Sequence, residues 1–385
     1  MDYKEPLFWI HLNMDYPFNL KGILYFPKIN TEYDSIEGTI KLYNNQVFIA
    51  DNIKEVIPEF LLLLKGVIDC PDLPLNVSRS ALQNDGFVQK ISEYIAKKVA
   101  DKLTGMCKTD REAYEKYWDD ISPFIKFGCI KDSKFADKLH DYILFKDLDN
   151  KYLTLKDCIE ANKKEEAEHT EEETQKNAEE NKDEKEPEKT TVFYVTDPVQ
   201  QSQYINMFKE AGKNAVILSH NIDTAFISHL EQRDQTLQFK RIDADLTEEL
   251  KGGDAADDDT AKTLTELFRK NLNKEKLEVK VESLKNEAVS AMMMLSEESR
   301  RMQDMMKMYN MYGMDPGMFG GQETLVLNIN HPLVKFLAEN QESEHAAVIC
   351  EQLYDLAMIS HKQLSPDEMT KFVQRSNDIL MLLTK

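Results

Sequence analysis

A long acidic segment near the middle of the chain limits the folds that the chain can adopt. Residues 162–190, NKKEEAEHTEEETQKNAEENKDEKEPEKT, contain no aliphatic side chain larger than alanine and carry twelve acidic residues against six lysines. Such a segment cannot bury enough apolar surface to offset the conformational entropy lost on ordering. We therefore predict a solvated insertion between two folded regions. An acidic interaction segment is the alternative.

The size and charge of the chain narrow its class. A length of 385 residues with 42% hydrophobic residues predicts two or three domains with sizeable cores. The formal net charge of -21 argues against nonspecific nucleic-acid binding, because phosphate backbones select basic surfaces. A local anion site built from a few cations remains compatible with this charge.

The cysteines and the apolar runs indicate a cytoplasmic protein. The five cysteines are odd in number and form no CxxC pair, which is typical of reduced thiols rather than a disulfide framework. No apolar run approaches the roughly 20 residues that a membrane span needs. The N-terminus lacks a basic region followed by an apolar one, so we predict neither a signal peptide nor a membrane partner.

Strand and helix patterns alternate before the insertion. LFWIHLN and LKGILYF read as strands, and TIKLYNNQVFIAD reads as a hairpin that turns at Asn44-Asn45. The nearly continuous apolar run EVIPEFLLLLKGVI predicts a buried helix. In GFVQKISEYIAKKVADKL, apolar residues recur at helical spacing, and we expect further helices as far as SKFADKLHDYILF.

A compact β-α-β-like unit follows the insertion. TVFYVT and NAVILS predict strands on either side of a helix closed by Gly212, with a further helix and strand through LQFKRIDAD. The turn TDPVQQ has no glycine that would let a pyrophosphate approach, which favours a structural subdomain over a nucleotide site. LKGGDAADDD, residues 250–259, predicts a domain boundary, and TAKTLTELFRKNL beyond it reads as a helix.

The chain ends in two amphipathic helices. The first groups Ala346, Ile349, Cys350, Leu353, Leu356 and Ala357 on one face. The second has a predicted cap at Ser365 with Pro366 in its first turn, and its apolar face holds Met369, Phe372, Val373, Ile379, Leu380 and Leu383. These stripes can pack back on the preceding strands or pair with a second subunit as a four-helix bundle. The pattern alone leaves both open.

A methionine-rich segment precedes those helices. Within SEESRRMQDMMKMYNMYGMDPGMFGG, a helix capped by Ser296 would place Met302, Met305, Met306 and Tyr309 on one face. This face can belong to a core. The following glycine-rich tail and the adaptable methionine side chains are equally consistent with a promiscuous apolar contact surface.

Catalytic motifs are absent from the sequence. It has no HExxH, no His/Cys cluster at metal-ligand spacing, no GxSxG, no Walker A loop and no GxGxxG. We therefore predict no metal and no cofactor held by this chain, and we do not expect it to be an enzyme alone.

The loop LPLNVSRSALQND, residues 73–85, carries a single cation, Arg79, near the amides of Asn76 and Gln83. Arg79 can pair with a carboxylate of its own domain. Alternatively it can reach a phosphate, because a guanidinium is always charged and bonds bidentately.

The same loop carries a family resemblance. GVIDCPDLPLNVSRSALQ, residues 66–83, closely resembles the middle-domain signature of the heat-shock protein 90 chaperones, in particular their bacterial HtpG branch. LKGILYFP, IKLYNNQVFIADN and IPEFLLLLKGVID resemble the preceding part of that domain in the same order, and SPFIKFG and TVFYVTD match further on. The C-terminal part is similar more weakly.

The resemblance implies specific roles. Arg79 would reach the γ-phosphate of ATP held by an N-terminal ATP-binding domain of the same full-length chain, and Asn76 and Gln83 would belong to the same catalytic loop. ATP and Mg²⁺ would be cofactors of that full-length protein, which would be an ATPase. Met302, Met305, Met306 and Tyr309 would contact partly folded clients, and the terminal helices would form a homodimer. A client-contacting tryptophan of some relatives is replaced by Ala225 here.

The resemblance also implies an architecture. The fold class would be α/β and α+β multidomain: a middle domain of α-β-α layers with a helical connector and a small α/β subdomain, then a mixed α+β dimerisation domain. We expect the middle domain over 1–160 and 191–249, the insertion over 161–190 and the C-terminal domain over 254–385. The ATP-binding domain has no counterpart, so the chain reads as a truncated chaperone. The alternatives are a standalone client-binding scaffold and the transducer region of another gyrase/histidine-kinase-type ATPase.

Overall fold

The computed structural model describes most of the chain: residues 5–28, 39–52, 56–73, 86–160, 189–244, 250–253, 256–295, 301, 323–362, 364–382 and 384. These residues form two compact units. The first is built from described residues within Met1–Phe145, Tyr152–Glu160 and Ala225–Leu230. The second is built from those within Lys146–Lys151, Ala161–Thr224 and Glu231–Lys385.

A five-stranded sheet forms the base of the first unit. Its strands are β1 (Phe8–Met14), β2 (Leu20–Phe26), β3 (Ile40–Asn44), β4 (Val47–Asp51) and β5 (Lys65–Asp69). They lie in the order β1-β2-β5-β3-β4, antiparallel except for the β3–β5 pair. In β1, buried Phe8, Ile10 and Leu12 alternate with exposed residues, so one face of the sheet carries the core. The predicted strands and hairpin are confirmed.

The first unit also contains the helices α1 (Gly86–Thr109), α2 (Arg111–Lys131) and α3 (Ser133–Leu139). The stripe predicted for α1 is buried, and it comprises Val88, Ile91, Ile95, Val99 and Leu103. Two aspartates begin the other helices, because the Asp110 carboxylate accepts a hydrogen bond from the Ala113 N–H and that of Asp132 accepts one from the Phe135 N–H.

The helix predicted for EVIPEFLLLLKGVI is wrong. Within its described residues, 56–68, residues Glu59–Leu61 form a 3₁₀ turn, and only residues 65–68 belong to β5, which lies between β2 and β3. Gly66 shows why: its φ is +156°, and a Cβ there would lie 2.1 Å from the Ile23 carbonyl oxygen of β2. Along the run, buried residues such as Ile57 and Leu64 and exposed ones such as Val67 follow no regular period, so the pattern does not separate helix from strand.

The turn of the β3–β4 hairpin also differs from the prediction. Asn44 pairs with Val47, so the two central residues are Asn45 and Gln46, with φ of 49° and 66°. The positive φ expected for Asn45 is confirmed, whereas the one expected for Asn44 belongs to Gln46.

The predicted β-α-β-like unit lies mostly in the second unit, whereas Ala225–Leu230 of its second helix belong to the first. Parallel strands β8 (Thr190–Val195), β9 (Val216–Ile217) and β10 (Leu237–Arg241) have the order β10-β8-β9, and β6 (Leu144–Asp147) pairs antiparallel with β9. The short strand β7 (Tyr152–Thr154) follows β6 in the sequence. Helices α4 (Ser202–Glu210) and α5 (Ile222–Arg233) connect the parallel strands.

The turn after β8 is closed by a glutamine. The fully buried side chain of Gln201 accepts hydrogen bonds through Oε1 from the N–H groups of Thr196 and Asp197, at 2.9 and 3.0 Å. Asp197 in turn accepts from the N–H groups of Val199 and Gln200. The backbone donors that a phosphate would need at this turn are therefore bonded within the chain.

The C-terminal part of the second unit has a sheet with helices. Helix α6 (Asp258–Leu272) precedes β11 (Glu278–Glu282), β12 (Ala291–Met294) and β13 (Thr324–Asn328), which have the order β11-β13-β12. Helices α7 (Pro332–Glu339), α8 (Ala346–Ile359) and α9 (Pro366–Leu382) follow. Helix α7, which has Pro332 in its first turn, was not predicted from the sequence.

One core in this unit joins residues from both sides of the predicted 250–259 linker. Leu250, Val195 and Val326 belong to the same buried cluster, and the Tyr204 hydroxyl donates to the Met293 carbonyl oxygen at 2.6 Å. The domain boundaries remain predictions. The coarser fold class, mixed α/β and α+β with several sheets, is confirmed, whereas the predicted α-β-α layering stays an expectation.

Three further features concern the cysteines, the helix lengths and the possible metal ligands. All five cysteines are buried thiols, and burial raises the pKa of Cys70 to about 11 and that of Cys350 to about 12. No helix in the described part of the chain has the length and apolar character of a membrane span. The same residues contain no cluster of His, Cys, Asp and Glu that could hold a metal ion.

Candidate functional site: the surface of the C-terminal helices

Helix α8 is anchored in the core of its own chain. Ala346, Cys350, Leu353 and Ala357 are buried in one cluster with Met293 of β12 and residues of α6, α7 and β13. Leu353 is 2% exposed, so the chain itself already covers that side chain. Of the two alternatives for the apolar face of α8, these four residues therefore follow the first, which is packing on the preceding strands of the same chain.

Helix α9 is different, because none of its described residues is buried. It begins with a reciprocal cap: Ser365 Oγ accepts from the Glu368 N–H at 3.3 Å, and the Glu368 carboxylate accepts from the Ser365 N–H at 2.9 Å. These bonds confirm the cap predicted at Ser365 and hold the first turn. They also lower the pKa of Glu368, with the Ser365 hydroxyl as the main cause.

A polar seam joins α9 to α8. Arg375 donates from Nε to Gln352 Oε1 at 2.9 Å and from Nη1 to Glu351 Oε2 at 2.8 Å, and its Nη2 bonds the Asp355 carboxylate. Gln352 also donates to the hydroxyl of Ser376 at 3.2 Å. Helix α9 therefore turns a polar face toward α8.

The opposite side of α9 is apolar and exposed. Val373 is 50% exposed and Leu380 is 58% exposed, and Met369 shares their face by helical spacing. On α8, Leu356 is 44% exposed. We call these four residues the terminal stripe: Leu356, Met369, Val373 and Leu380. Met381 and Leu382 are also exposed, although neither was among the residues predicted for dimerisation.

The other residues predicted for dimerisation are less exposed than the terminal stripe or lie outside the described residues. Ile349 packs at the margin of the core, and Phe372 and Ile379 are half-buried. Leu383 lies outside the described residues. The structure thus leaves four of the predicted residues exposed on α8 and α9, and it places Leu353 in the interior.

An acid–base cluster lies where α8 ends. The Glu323 carboxylate accepts from Lys362 Nζ at 2.6 Å and lies 3.6 Å from Nε2 of the buried His361. The hydrogen bond with His361 is the main cause that lowers the pKa of Glu323 to about 2, against the opposing effect of burial. This cluster ties the segment between α8 and α9 to β13.

The predicted catalytic residues Asn76, Arg79 and Gln83 lie outside the described residues, but the entry to their loop is described. Asn44 Nδ2 donates to the carbonyl oxygens of Cys70, Pro71 and Leu73, at 3.1, 3.0 and 3.4 Å. Asp72 accepts from the Asn19 N–H at 2.7 Å. The chain is thus held by side chains immediately before the loop. The sequence indicated Asn44 only as a residue of the hairpin turn and did not indicate its contacts with residues 70–73.

The predicted client-contacting residues Met302, Met305, Met306 and Tyr309 also lie outside the described residues. Immediately before them, Arg301 bonds both carboxylate oxygens of Glu231, at 2.5 and 3.0 Å. It also donates to the Phe239 carbonyl oxygen at 2.9 Å. The polypeptide is therefore fixed to the small α/β subdomain at residue 301.

A known protein family and several curated proteins match this chain. The sequence model of the family described as Hsp90 protein matches residues 1–385. The chain is 38% identical over 357 residues to the chaperone protein htpG of Bacteroides fragilis strain YCH46, covering 90% of this chain and 49% of the relative. It is 37% identical over 350 residues to HtpG of Bacteroides thetaiotaomicron, covering 88% and 48%. HtpG of Helicobacter acinonychis is 28% identical over 394 residues, covering 99% and 58%.

The chain therefore belongs to the Hsp90 family of chaperones. Within that family, these relatives carry the name of the bacterial HtpG chaperones, which confirms the branch that the loop signature indicated. The chain spans about half the length of the Bacteroides relatives it matches.

Proposed function

We propose that this chain is the client-binding and dimerising part of an HtpG-type chaperone. It would form a homodimer through its terminal helices, contact partly folded clients, and supply a catalytic-loop arginine to an ATP-binding domain. A cytoplasmic location belongs to the same proposal.

One observation carries the proposal: the terminal stripe is exposed on α8 and α9, while the polar side of α9 already faces α8. An exposed apolar surface rimmed by polar residues is typical of an interaction site. Burial of a Val or Leu side chain contributes about 1.5–3 kcal/mol relative to exposure, so a few such residues from two copies can support association. Two helices from each copy make a four-helix bundle, in which a twofold axis lets the same stripe face itself.

The ATPase part of the proposal concerns Arg79, with Asn76 and Gln83 beside it. The family membership and the loop signature at 66–83 support it. ATP and Mg²⁺ would be held by the N-terminal domain, and Arg79 would contribute positive charge to the γ-phosphate. We expect this chain alone neither to bind ATP tightly nor to hydrolyse it. Isothermal titration that detects micromolar ATP binding would contradict this expectation.

The client-binding part rests on the methionine segment. Met302, Met305, Met306 and Tyr309 share one face if that segment is helical, and unbranched methionine side chains adapt to varied apolar partners. The attachment of Arg301 to Glu231 supports this proposal, because it gives the segment a defined starting point beside the small α/β subdomain.

Sedimentation tests the dimer. The chain should sediment as a dimer at micromolar concentration, and Val373→Asp with Leu380→Asp should give monomers, because each buried carboxylate would lack a partner. Thr370→Asp with Gln374→Asp places the same charges at exposed positions of α9 outside the terminal stripe and serves as a control that should remain dimeric. A wild-type monomer would refute the proposal.

A further inference from the structure

Arg375 has an arrangement that an ordinary surface ion pair does not require. Its side chain is 13% exposed, and three of its nitrogens each bond a different side chain of α8: Gln352, Glu351 and Asp355. Asp355 is 16% exposed, so this part of the seam is shielded from water. We propose that Arg375 is the positioning residue of the dimer interface, the group that sets the rotation of α9 about its own axis. This inference rests on the proposed dimerisation.

The planar geometry of the guanidinium group suits Arg375 to this role. A guanidinium is planar and its donors have fixed directions, so three acceptors on α8 restrict both the position and the rotation of the helix that carries it. Glu351 and Asp355 are four residues apart and therefore lie on consecutive turns of one face of α8. A lysine would offer the same charge at a single point and would leave the rotation free.

Apolar packing between the two helices would restrict α9 less. Its side chains nearest to the seam, Phe372 and Ile379, are half-buried, and none of its described residues is buried. Without a buried anchor, α9 could rotate at little cost in apolar contact, because packing energy depends on buried atoms in close contact. The directional bonds of Arg375 supply the missing restriction.

The rotation matters because of where the terminal stripe lies. At 3.6 residues per turn, Val373 and Leu380 are about 160° and about 140° from Arg375 around α9. Holding Arg375 against α8 therefore directs both apolar side chains away from the chain, toward a second copy. A twofold interface uses the same surface of both copies. A change in the rotation of α9 therefore alters the contact on both sides of the interface.

A dissociation constant tests this assignment. We expect Arg375→Gln to weaken the dimer at least tenfold in sedimentation equilibrium while the helix content by circular dichroism is unchanged. Arg375→Lys, which keeps the charge but not the fork, should lie between the wild type and Arg375→Gln. Lys371→Gln removes the same charge from an exposed position of α9 and should change the constant by less than twofold.

A second pair of substitutions covers the possibility that Arg375→Gln unfolds α9. Glu351→Gln with Asp355→Asn weakens the acceptors and leaves the sequence of α9 intact, and it should weaken the dimer by a similar factor. A monomeric wild type refutes the dimer proposal itself. A dimeric wild type with unchanged affinity in the Arg375→Gln or the paired variant refutes only the positioning role, and an Arg375→Lys protein equal to the wild type would show that charge alone suffices.

Discussion

The Glu323 carboxylate lies 3.6 Å from Nε2 of His361, and this pair joins the first residues of the last strand to the end of α8. Lys362 reaches the same carboxylate at 2.6 Å. Glu323, immediately before β13, thus shares one charged cluster with His361 and Lys362, which follow α8.

This cluster predicts a pH dependence of stability. The pKa of Glu323 falls from 4.5 to about 2 in the folded protein. A lowered folded-state pKa stabilises the protein above the unfolded-state value and ceases to do so as the pH falls through the folded-state value. We therefore expect stability from Glu323 to be lost between about pH 4.5 and pH 2, with a size of about 2 to 3 kcal/mol at neutral pH.

Urea unfolding at several pH values measures that contribution. Glu323→Gln should lower the free energy of unfolding at pH 7, and the difference from the wild type should shrink as the pH approaches 2. Glu339→Gln, a change at an exposed position of α7, should have little effect at any pH. A constant difference for Glu323→Gln across the range would contradict the assigned linkage.

Gly66 predicts a strict requirement for glycine. An alanine Cβ there would meet the Ile23 carbonyl oxygen at 2.1 Å, and the backbone has a φ of +156°. Gly66→Ala should lower the free energy of unfolding by about 2 to 4 kcal/mol, because the β2–β5 pairing must shift. Gly105→Ala is the matched control: a Cβ at Gly105 meets nothing within 4 Å, and in α1 it should be neutral or stabilise by up to about 1 kcal/mol. Equal effects of the two substitutions would be inconsistent with the close approach at Gly66.

We expect Asn44 to stabilise residues 70–73, immediately before the predicted catalytic loop. Asn44→Ala removes three hydrogen bonds to the carbonyl oxygens of residues 70–73 and should cost about 1 to 3 kcal/mol. Hydrogen exchange should become faster at the Leu73 amide, which donates to the Cys70 carbonyl oxygen at 3.3 Å. Asn13→Ala, at an exposed position of β1, should leave that exchange unchanged. Unaltered protection of Leu73 in Asn44→Ala would show that the anchor is dispensable.

The methionine segment predicts a separation of client binding from dimerisation. Met302→Ser with Met306→Ser should weaken binding to a permanently unfolded protein several-fold, as measured by fluorescence anisotropy, and should leave the sedimentation of the dimer unchanged. Met302→Leu with Met306→Leu keeps the apolar surface and should retain most of the affinity. Equal client affinity in the serine variant would assign these side chains to the core instead.

Elements with a clear period could be predicted from the sequence. The stripe of α1 and the alternation in β1 were recognisable because the helical and extended periods place their apolar residues on one side. The run that contains Leu63, Leu64 and Ile68 was not, because all three are buried and the run shows no period. Its neighbours in the sheet, which lie far away in the sequence, determine that its last residues, 65–68, belong to a strand.

The terminal helices show the same division within one surface. The sequence by itself determined that α8 and α9 are amphipathic helices and that the chain carries the Hsp90 loop signature, because both depend on residues close together along the chain. Only the tertiary structure decided that Leu353 is covered while Leu356 and Val373 are exposed, and that Arg375 meets Glu351 and Asp355. Helical spacing places apolar residues on a common face, but which part of that face is covered depends on elements brought together by long-range folding.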